Sequence, residues 1–188
     1  MAISSVSKGD LFIKIFAVYV AAAIFASAIA QILIRALGPP PVSDKLMLPM
    51  AFHVSTVVLI IGSWQLRRAT RFVSIEKQKP FRQSLKLALV LGTLFVGIQS
   101  YGIWCLLQAY PTNTQSTQTN AHGFIFVFVA LHALHFTVAM MFLVFVTVNG
   151  TYDRYDHEYY WGVTVCEWFW HALGIVWLAI LSVFAIAI

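Results

Sequence analysis

The sequence predicts an all-α polytopic membrane protein, a bundle of five transmembrane helices in a single domain over residues 1–188. The chain is 60% hydrophobic and only 10% charged, whereas a soluble domain carries about 25% charged residues. Five apolar runs each approach or exceed the ~20 residues that a helix needs to cross a bilayer. Because backbone groups in lipid must be satisfied within the segment, these runs are predicted to be helices.

Four of the five predicted helices end at a recognisable signal. Gly38 and the prolines at 39–41 end the first helix, since proline cannot continue one. The second stops before a basic segment that starts at Arg67, the third before Pro111, and the fourth at Gly150. The predicted spans are about 11–37, 46–66, 86–109, 122–148 and 160–188.

A stripe of small residues marks one face of the first predicted helix. Ala22, Ala26 and Ala30 recur at every fourth position. Small side chains at this spacing let two membrane helices approach closely. We therefore expect this face to pack against another helix.

The basic residues predict the orientation of the bundle. Seven of the twelve lie in one connection, and an excess of lysine and arginine is typical of cytoplasmic loops. This places the N-terminus in the cytoplasm and the C-terminus outside. It also accounts for the net positive charge without a nucleic-acid partner. The residues of this predicted cytoplasmic basic loop are Arg67, Arg68, Arg71, Lys77, Lys79, Arg82 and Lys86.

Five polar side chains interrupt the apolar runs. His132 and His135 share a face of the fourth helix, and Glu167 and His171 share a face of the fifth. Gln99 lies in the third helix. A polar group at membrane depth is costly and usually faces protein. The antiparallel fourth and fifth helices would bring His132 and His171 to similar depths, so these two histidines could meet.

Three interpretations of these residues remain open. His132 or His135 could hold a b-type haem together with His171, as facing imidazoles do in helix bundles. Glu167, His171 and His132 could form a proton relay. Alternatively, the cluster could join helices or contact a lipid headgroup or a partner. We favour this last role, because the sequence contains no nucleotide, nucleophile or CxxCH motif.

Two stretches resemble subunit III of the haem–copper terminal oxidases. The run 131–135, Leu-His-Ala-Leu-His, is similar to the family pattern F-H-G-x-H, and 169–178, FWHALGIVWL, is similar to Y-W-H-F-V-D-x-V-W-L. Gly92 to Phe95, followed by Gln99, resembles G-x-x-F-x-x-x-Q. The order and spacing of these motifs agree over about 46–180, which matches the short five-helix bacterial form of the family.

The resemblance implies a non-catalytic accessory subunit that stabilises subunit I, contacts subunit II and phospholipid, and supports proton uptake. The chain itself would hold no cofactor, since haem and copper lie in the partner subunits. The expected location is the bacterial inner membrane. Acidic residues of the family would fall at Gly102, Gly174 and near Thr164, so this chain has diverged. A subunit of a nitric oxide reductase system and a small b-type cytochrome are the alternatives.

Overall fold

A computed structural model of the chain describes residues 7–38, 50–109 and 119–187, without the side chains of 106–107, 109, 119–126, 128 and 184–187. Five helices account for nearly all of these residues, which confirms the predicted all-α bundle. The helices are α1 (Lys8–Leu37), α2 (Met50–Ser74), α3 (Gln78–Ala109), α4 (Thr119–Thr151) and α5 (Trp161–Ala187). The predicted positions 46–49 and 188 and the loop at 110–118 lie outside the described residues.

Four of the helices form a closed ring. Each of α2, α3, α4 and α5 packs on the next, and α5 returns to α2. Buried aromatic side chains fill the centre, with Phe95, Phe136, Trp170 and Trp177 among them. Because side chains from all four helices meet there, the interior of the ring is where polar groups become desolvated.

Helix α1 lies outside the ring, against α3 and α4. Its small-residue stripe makes the closest approach, with Ala26 and Ala30 buried. A Cβ added to Gly97 of α3 would lie 2.9 Å from the carbonyl oxygen of Ala26. Glycine is therefore required at this crossing, and the predicted packing of the stripe is confirmed.

The segment predicted as a basic loop is largely helical. Helix α2 continues to Ser74 and α3 begins at Gln78, so only 75–77 connect them. Arginine and lysine are good helix formers, and the helices continue after the apolar runs end. Arg67, Arg68 and Arg71 therefore lie on α2, while Lys79, Arg82 and Lys86 lie on α3, and only Lys77 is in the turn.

Four of the described helices contain a stretch long and apolar enough to cross a membrane: Lys8–Leu37, Gln78–Cys105, Val129–Thr151 and Trp161–Val183. Helix α2 is less apolar, because its second half carries Gln65 and the three arginines. Its neighbours on both sides, α3 and α5, are themselves candidate spans. Packing against them supports its position in the membrane.

Candidate functional site

Three ionisable side chains, which we call the ionisable triad, lie between α2 and α5. The carboxylate of Glu167 is 3.7 Å from Nε of Arg67 and 3.5 Å from Nε2 of His171. The Glu167 side chain is 10% exposed, whereas that of Arg67 is 74% exposed. The arginine thus reaches the carboxylate from the outer surface of the ring, and its long apolar stem allows the charged group to extend toward water.

The triad lies near one end of the bundle. Glu167 follows the first residue of α5 by six positions, which is about 9 Å along the helix. At this depth an unpaired carboxylate would be costly, and Arg67 supplies the opposite charge. The contact is longer than a hydrogen bond, so the attraction between the two groups is mainly electrostatic.

Trp177 occupies the centre of a second polar contact, between α2 and α5. Its indole Nε1 donates a 3.0 Å hydrogen bond to Oγ1 of Thr56. That hydroxyl in turn donates to the carbonyl of Phe52, at 2.7 Å. The indole also packs edge-on against Phe95, at 6.2 Å between ring centroids. Trp177 therefore anchors α5 to both α2 and α3.

His132 packs against Trp177 from α4. The two rings are stacked with centroids 5.6 Å apart and planes inclined by 27°. His132 is only 7% exposed, and neither of its ring nitrogens has a hydrogen-bond partner among the described residues. The histidine therefore contributes an aromatic contact to the α4–α5 interface while two buried polar atoms remain unsatisfied.

The four predicted cluster residues of α4 and α5 do not form one group. Within the part of the chain that the structure describes, no hydrogen bond or ring contact joins His132 or His135 to His171, so the possible contact between these histidines is not observed. His135 faces outward, and its Nδ1 lies 2.7 Å from the carbonyl of Leu131 in its own helix. The reason is register: His132 lies opposite Trp177, six residues beyond His171 on α5.

Gln99 forms the third polar contact. Its Oε1 accepts a 2.8 Å hydrogen bond from the hydroxyl of Ser55, and both residues are buried. This bond links α3 to α2. A buried amide paired across a helix interface fixes the relative position of two helices, which is the role expected for Gln99.

The described residues bring together no three His, Cys, Asp or Glu side chains that could hold a metal ion. The described histidines of α4 and α5 also do not fit an axial haem pair, because His132 stacks on an indole and His135 points away from the bundle. The chemistry available to this arrangement is charge pairing, aromatic stacking and hydrogen bonding between helices.

The sequence of this chain matches a known protein family. The family model described as cytochrome c oxidase subunit III matches residues 1–186. The chain belongs to this family. Among subunit III relatives, the cytochrome c oxidase subunit 3 of Branchiostoma lanceolatum is 26% identical over 157 residues, covering 83% of this chain and 58% of that protein. The probable cytochrome c oxidase subunit 3 of Mycobacterium leprae (strain TN) is 28% identical over 149 residues, covering 78% and 70%.

Cytochrome c oxidase subunit 3 of Ornithorhynchus anatinus is 21% identical over 140 residues, which are 74% of this chain and 51% of that protein. The chain thus spans little more than half the length of these two animal subunit III proteins. It nevertheless contains the complete ring of α2 to α5.

At two positions where the resemblance to subunit III places acidic residues, this chain has glycines that face a neighbouring helix. A Cβ at Gly102 would be 3.3 Å from Ala51 and from the ring of Phe52, and one at Gly174 would be 3.8 Å from Leu59. Both glycines face α2. In this member of the subunit III family, the acidic group of α5 that faces α2 is Glu167.

At the end of the bundle that contains Arg67, residues in and after the turn between α2 and α3 contact the connection between α4 and α5. Gln78 Nε2 donates to the carbonyl of Tyr155 at 2.9 Å, and Arg82 pairs with Asp153. Nδ1 of His157 lies 2.5 Å from Glu76. Burial, and to a smaller extent Cys166, raises the pKa of Tyr155 to about 12. The connection after α4 is therefore tied to the turn between α2 and α3.

Sequence analysis missed four members of these contacts: Arg67 as the partner of Glu167, Trp177 with its acceptor Thr56, and Ser55. Arg67 was assigned to a loop because hydropathy falls there, although the helix continues. The spacing of polar residues contains a signal for these contacts. Thr56 precedes Arg67 on α2, whereas their partners Trp177 and Glu167 follow in the reverse order on α5. An antiparallel alignment of the polar positions on these two helices would have predicted both.

Proposed function

We propose that this chain is a non-catalytic accessory subunit of a respiratory haem–copper terminal oxidase in the bacterial inner membrane. It would stabilise the catalytic subunit I, next to subunit II, and contact phospholipid. The observation that carries this proposal is the subunit III family match over residues 1–186. Haem and copper would be held by the partner subunits, where oxygen is reduced.

The polar contacts support a bracing role. Gln99 pairs with Ser55, Trp177 with Thr56, and Glu167 with Arg67. Each contact joins α2 to a neighbouring helix, and both partners of each contact belong to this chain. A rigid four-helix ring of this kind gives a partner subunit a fixed surface, whereas a catalytic site would keep some of these groups free for substrate.

Support for proton uptake would use the ionisable triad. Glu167 and His171 are the titratable groups of α5 in the described residues that approach each other, and Arg67 connects them to the surface. We propose that this triad maintains the local charge near the proton entrance of the partner, on the cytoplasmic side. We propose that the N-terminus lies in the cytoplasm, and the basic residues of α2 and α3 support this orientation, because such residues are typical of the cytoplasmic side.

The test is purification of the tagged chain from native membranes in mild detergent. Co-purifying proteins are identified by mass spectrometry, and a visible spectrum is recorded before and after the partners are removed. The proposal expects a haem–copper catalytic subunit that takes all haem absorbance with it. A catalytic partner with non-haem iron would indicate a nitric oxide reductase system instead. A Soret band retained by the isolated chain would make it a b-type cytochrome.

A further inference from the structure

Helix α4 has a continuous row of exposed apolar side chains on its outward face, which we call the α4 seam. Its six residues recur at alternating spacings of four and three positions and are 43–61% exposed: Val127, Leu131, Leu134, Val138, Met141 and Phe145. A repeat of this kind keeps one face of a helix against a second helix along its whole length. Apolar side chains alone do not decide between a helix and lipid, because lipid tails are equally apolar.

His135 adds an exposed polar group beside the seam, four positions after Leu131 and three before Val138. It lies at the midpoint of α4, sixteen positions after Thr119 and sixteen before Thr151. At about 1.5 Å per residue the whole helix is about 50 Å long. Wherever such a helix crosses a hydrocarbon core about 30 Å thick, its midpoint lies inside that core. An imidazole exposed to lipid at this depth is costly, and polar side chains there normally face protein.

The hydrogen bond of His135 within α4 determines which ring nitrogen remains free. Nδ1 lies 2.7 Å from the carbonyl oxygen of Leu131. Because a carbonyl oxygen only accepts, Nδ1 carries the proton of the neutral ring, which leaves Nε2 as an acceptor. Among the described residues, none donates a hydrogen bond to Nε2. Acyl chains contain no donor either, so this nitrogen requires a donor from another protein chain.

We propose that the α4 seam binds a transmembrane helix of another subunit of the complex, and that this helix donates a hydrogen bond to Nε2 of His135. The donor is a hydroxyl, amide or indole group, since these are the side chains that bond between helices within a bilayer. The apolar seam supplies the packing surface, and His135 fixes the depth at which the partner helix docks. The inference rests on the proposed function for the existence of a complex, and it names the surface that the complex uses.

A different subunit fits this face better than a second copy of this chain. In a twofold dimer the same patch meets itself. The described polar hydrogens of this patch are already used within α4: His135 donates to the carbonyl of Leu131, and the hydroxyl of Thr137 donates to that of Ala133 at 2.9 Å. Two copies would therefore bring acceptors together without a free donor, whereas a helix of another sequence can present one.

The first experiment is photo-crosslinking of the tagged full chain in its native membranes. The photoreactive residue p-benzoylphenylalanine replaces Leu134 of the α4 seam, and mass spectrometry identifies the linked peptide. The matched control places it at Ile60 of α2, which is 59% exposed against 61% for Leu134 and lies on a helix that does not pack on α4. We expect Leu134 to link to a transmembrane segment of a co-purifying oxidase subunit that contains a donor side chain, and Ile60 to leave that segment unlinked.

A set of variants tests the hydrogen bond itself. His135→Leu removes the acceptor, His135→Gln keeps one, and His53→Leu makes the same exchange at an exposed position near the start of α2. We expect His135→Leu to weaken retention of the partner in a detergent series about 3- to 15-fold, which corresponds to one hydrogen bond between membrane helices. The other two variants should stay near wild type. Circular dichroism of each variant checks that the helices form.

Two results would overturn the docking surface and leave the proposed function standing. One is a chain that co-purifies with a haem–copper subunit but links at Leu134 to lipid alone or to a second copy of itself. The other is equal retention of the partner by His135→Leu and His53→Leu, which would remove His135 from the contact. Conversely, a link from Leu134 to a helix of a complex without haem–copper chemistry would support the surface and reject the proposed function.

Discussion

Gly97 of α3 lies directly against Ala26 of α1, so close that a Cβ at Gly97 would be 2.9 Å from the Ala26 carbonyl oxygen and 2.8 Å from Cβ of Ile29. A backbone oxygen and a β-branched side chain cannot move aside easily. This contact holds the outer helix to the ring.

Gly97→Ala should therefore lower stability by about 1–3 kcal/mol, as overpacking does. Gly174→Ala is the control, since its nearest atom would be at an ordinary 3.8 Å, and alanine favours the helix by about 0.5–1 kcal/mol. Thermal unfolding in detergent measures both. An unchanged midpoint for Gly97→Ala would show that α1 shifts without cost.

The triad predicts an asymmetry between its two charged partners. Arg67→Leu leaves the buried Glu167 without its counter-charge and should destabilise the chain by about 1–3 kcal/mol. Glu167→Leu leaves an exposed arginine and should cost about 1 kcal/mol or less. The double variant should recover much of the loss, and unfolding of all three variants in detergent gives the coupling energy. Equal losses in the two single variants would contradict the assigned burial.

Thr56 should stabilise the chain because its hydroxyl oxygen accepts the hydrogen bond of the Trp177 indole. Thr56→Val leaves Trp177 Nε1 unsatisfied in the core and should cost about 1–3 kcal/mol. Thr93→Val is a matched change, because the Thr93 hydroxyl donates within its own helix, to Leu89, and no buried donor loses its acceptor. The indole fluorescence of Trp177 and the unfolding midpoint should change in the first variant only.

His132 should be replaceable in the isolated chain. His132→Phe keeps the stack on Trp177 and removes two unsatisfied nitrogens, so stability should stay the same or rise by about 1 kcal/mol. The measurement is thermal unfolding of the chain alone and of the purified complex. Destabilisation of the isolated chain would mean that the ring nitrogens have partners within this chain. Destabilisation of the complex alone would place the partner in another subunit.

The raised pKa of Tyr155 predicts that the folded chain loses stability at alkaline pH. Its pKa is raised to about 12 in the folded chain by burial, whereas an unfolded tyrosine titrates near 10. Below pH 10 both states are protonated and the stability is constant. Between about pH 10 and 12 the unfolded state loses its proton first, so stability falls. Tyr155→Phe should show a smaller decline over this window than the wild type, in unfolding curves measured from pH 8 to 12.

The helical bundle could be predicted because apolar runs, prolines and glycines are local signals. Packing of the small-residue stripe of α1 was also predictable, because small residues at a four-residue spacing let membrane helices approach closely. Helix ends were predicted less well: Arg67, Arg68 and Arg71 lower hydropathy, yet they continue α2 to Ser74.

The contacts of the α4 histidines with α5 could not be predicted from spacing. A membrane helix that is apolar on all sides does not reveal which face meets which neighbour. Depth alone suggested that His132 and His171 could meet, but the packing of Trp177 between α2 and α4 decides the register of α5. The pairing of Glu167 with Arg67 is different, because the antiparallel order of polar positions on α2 and α5 contains a signal for it, although low hydropathy predicts a loop at Arg67.

Closure of the ring has a consequence for biogenesis. The bond between Thr56 and Trp177 joins residues 121 positions apart, so α2 has been synthesised long before α5 is available to complete its interface. Until then, among the described helices, the buried face of α2 has α3 alone as a neighbour: Ser55 can already bond to Gln99, but the hydroxyl of Thr56 lacks its indole donor. The nascent chain must hold a half-covered polar surface within the membrane during this interval. An insertase or chaperone that shields α2 is therefore expected to act until the last helix of the ring arrives.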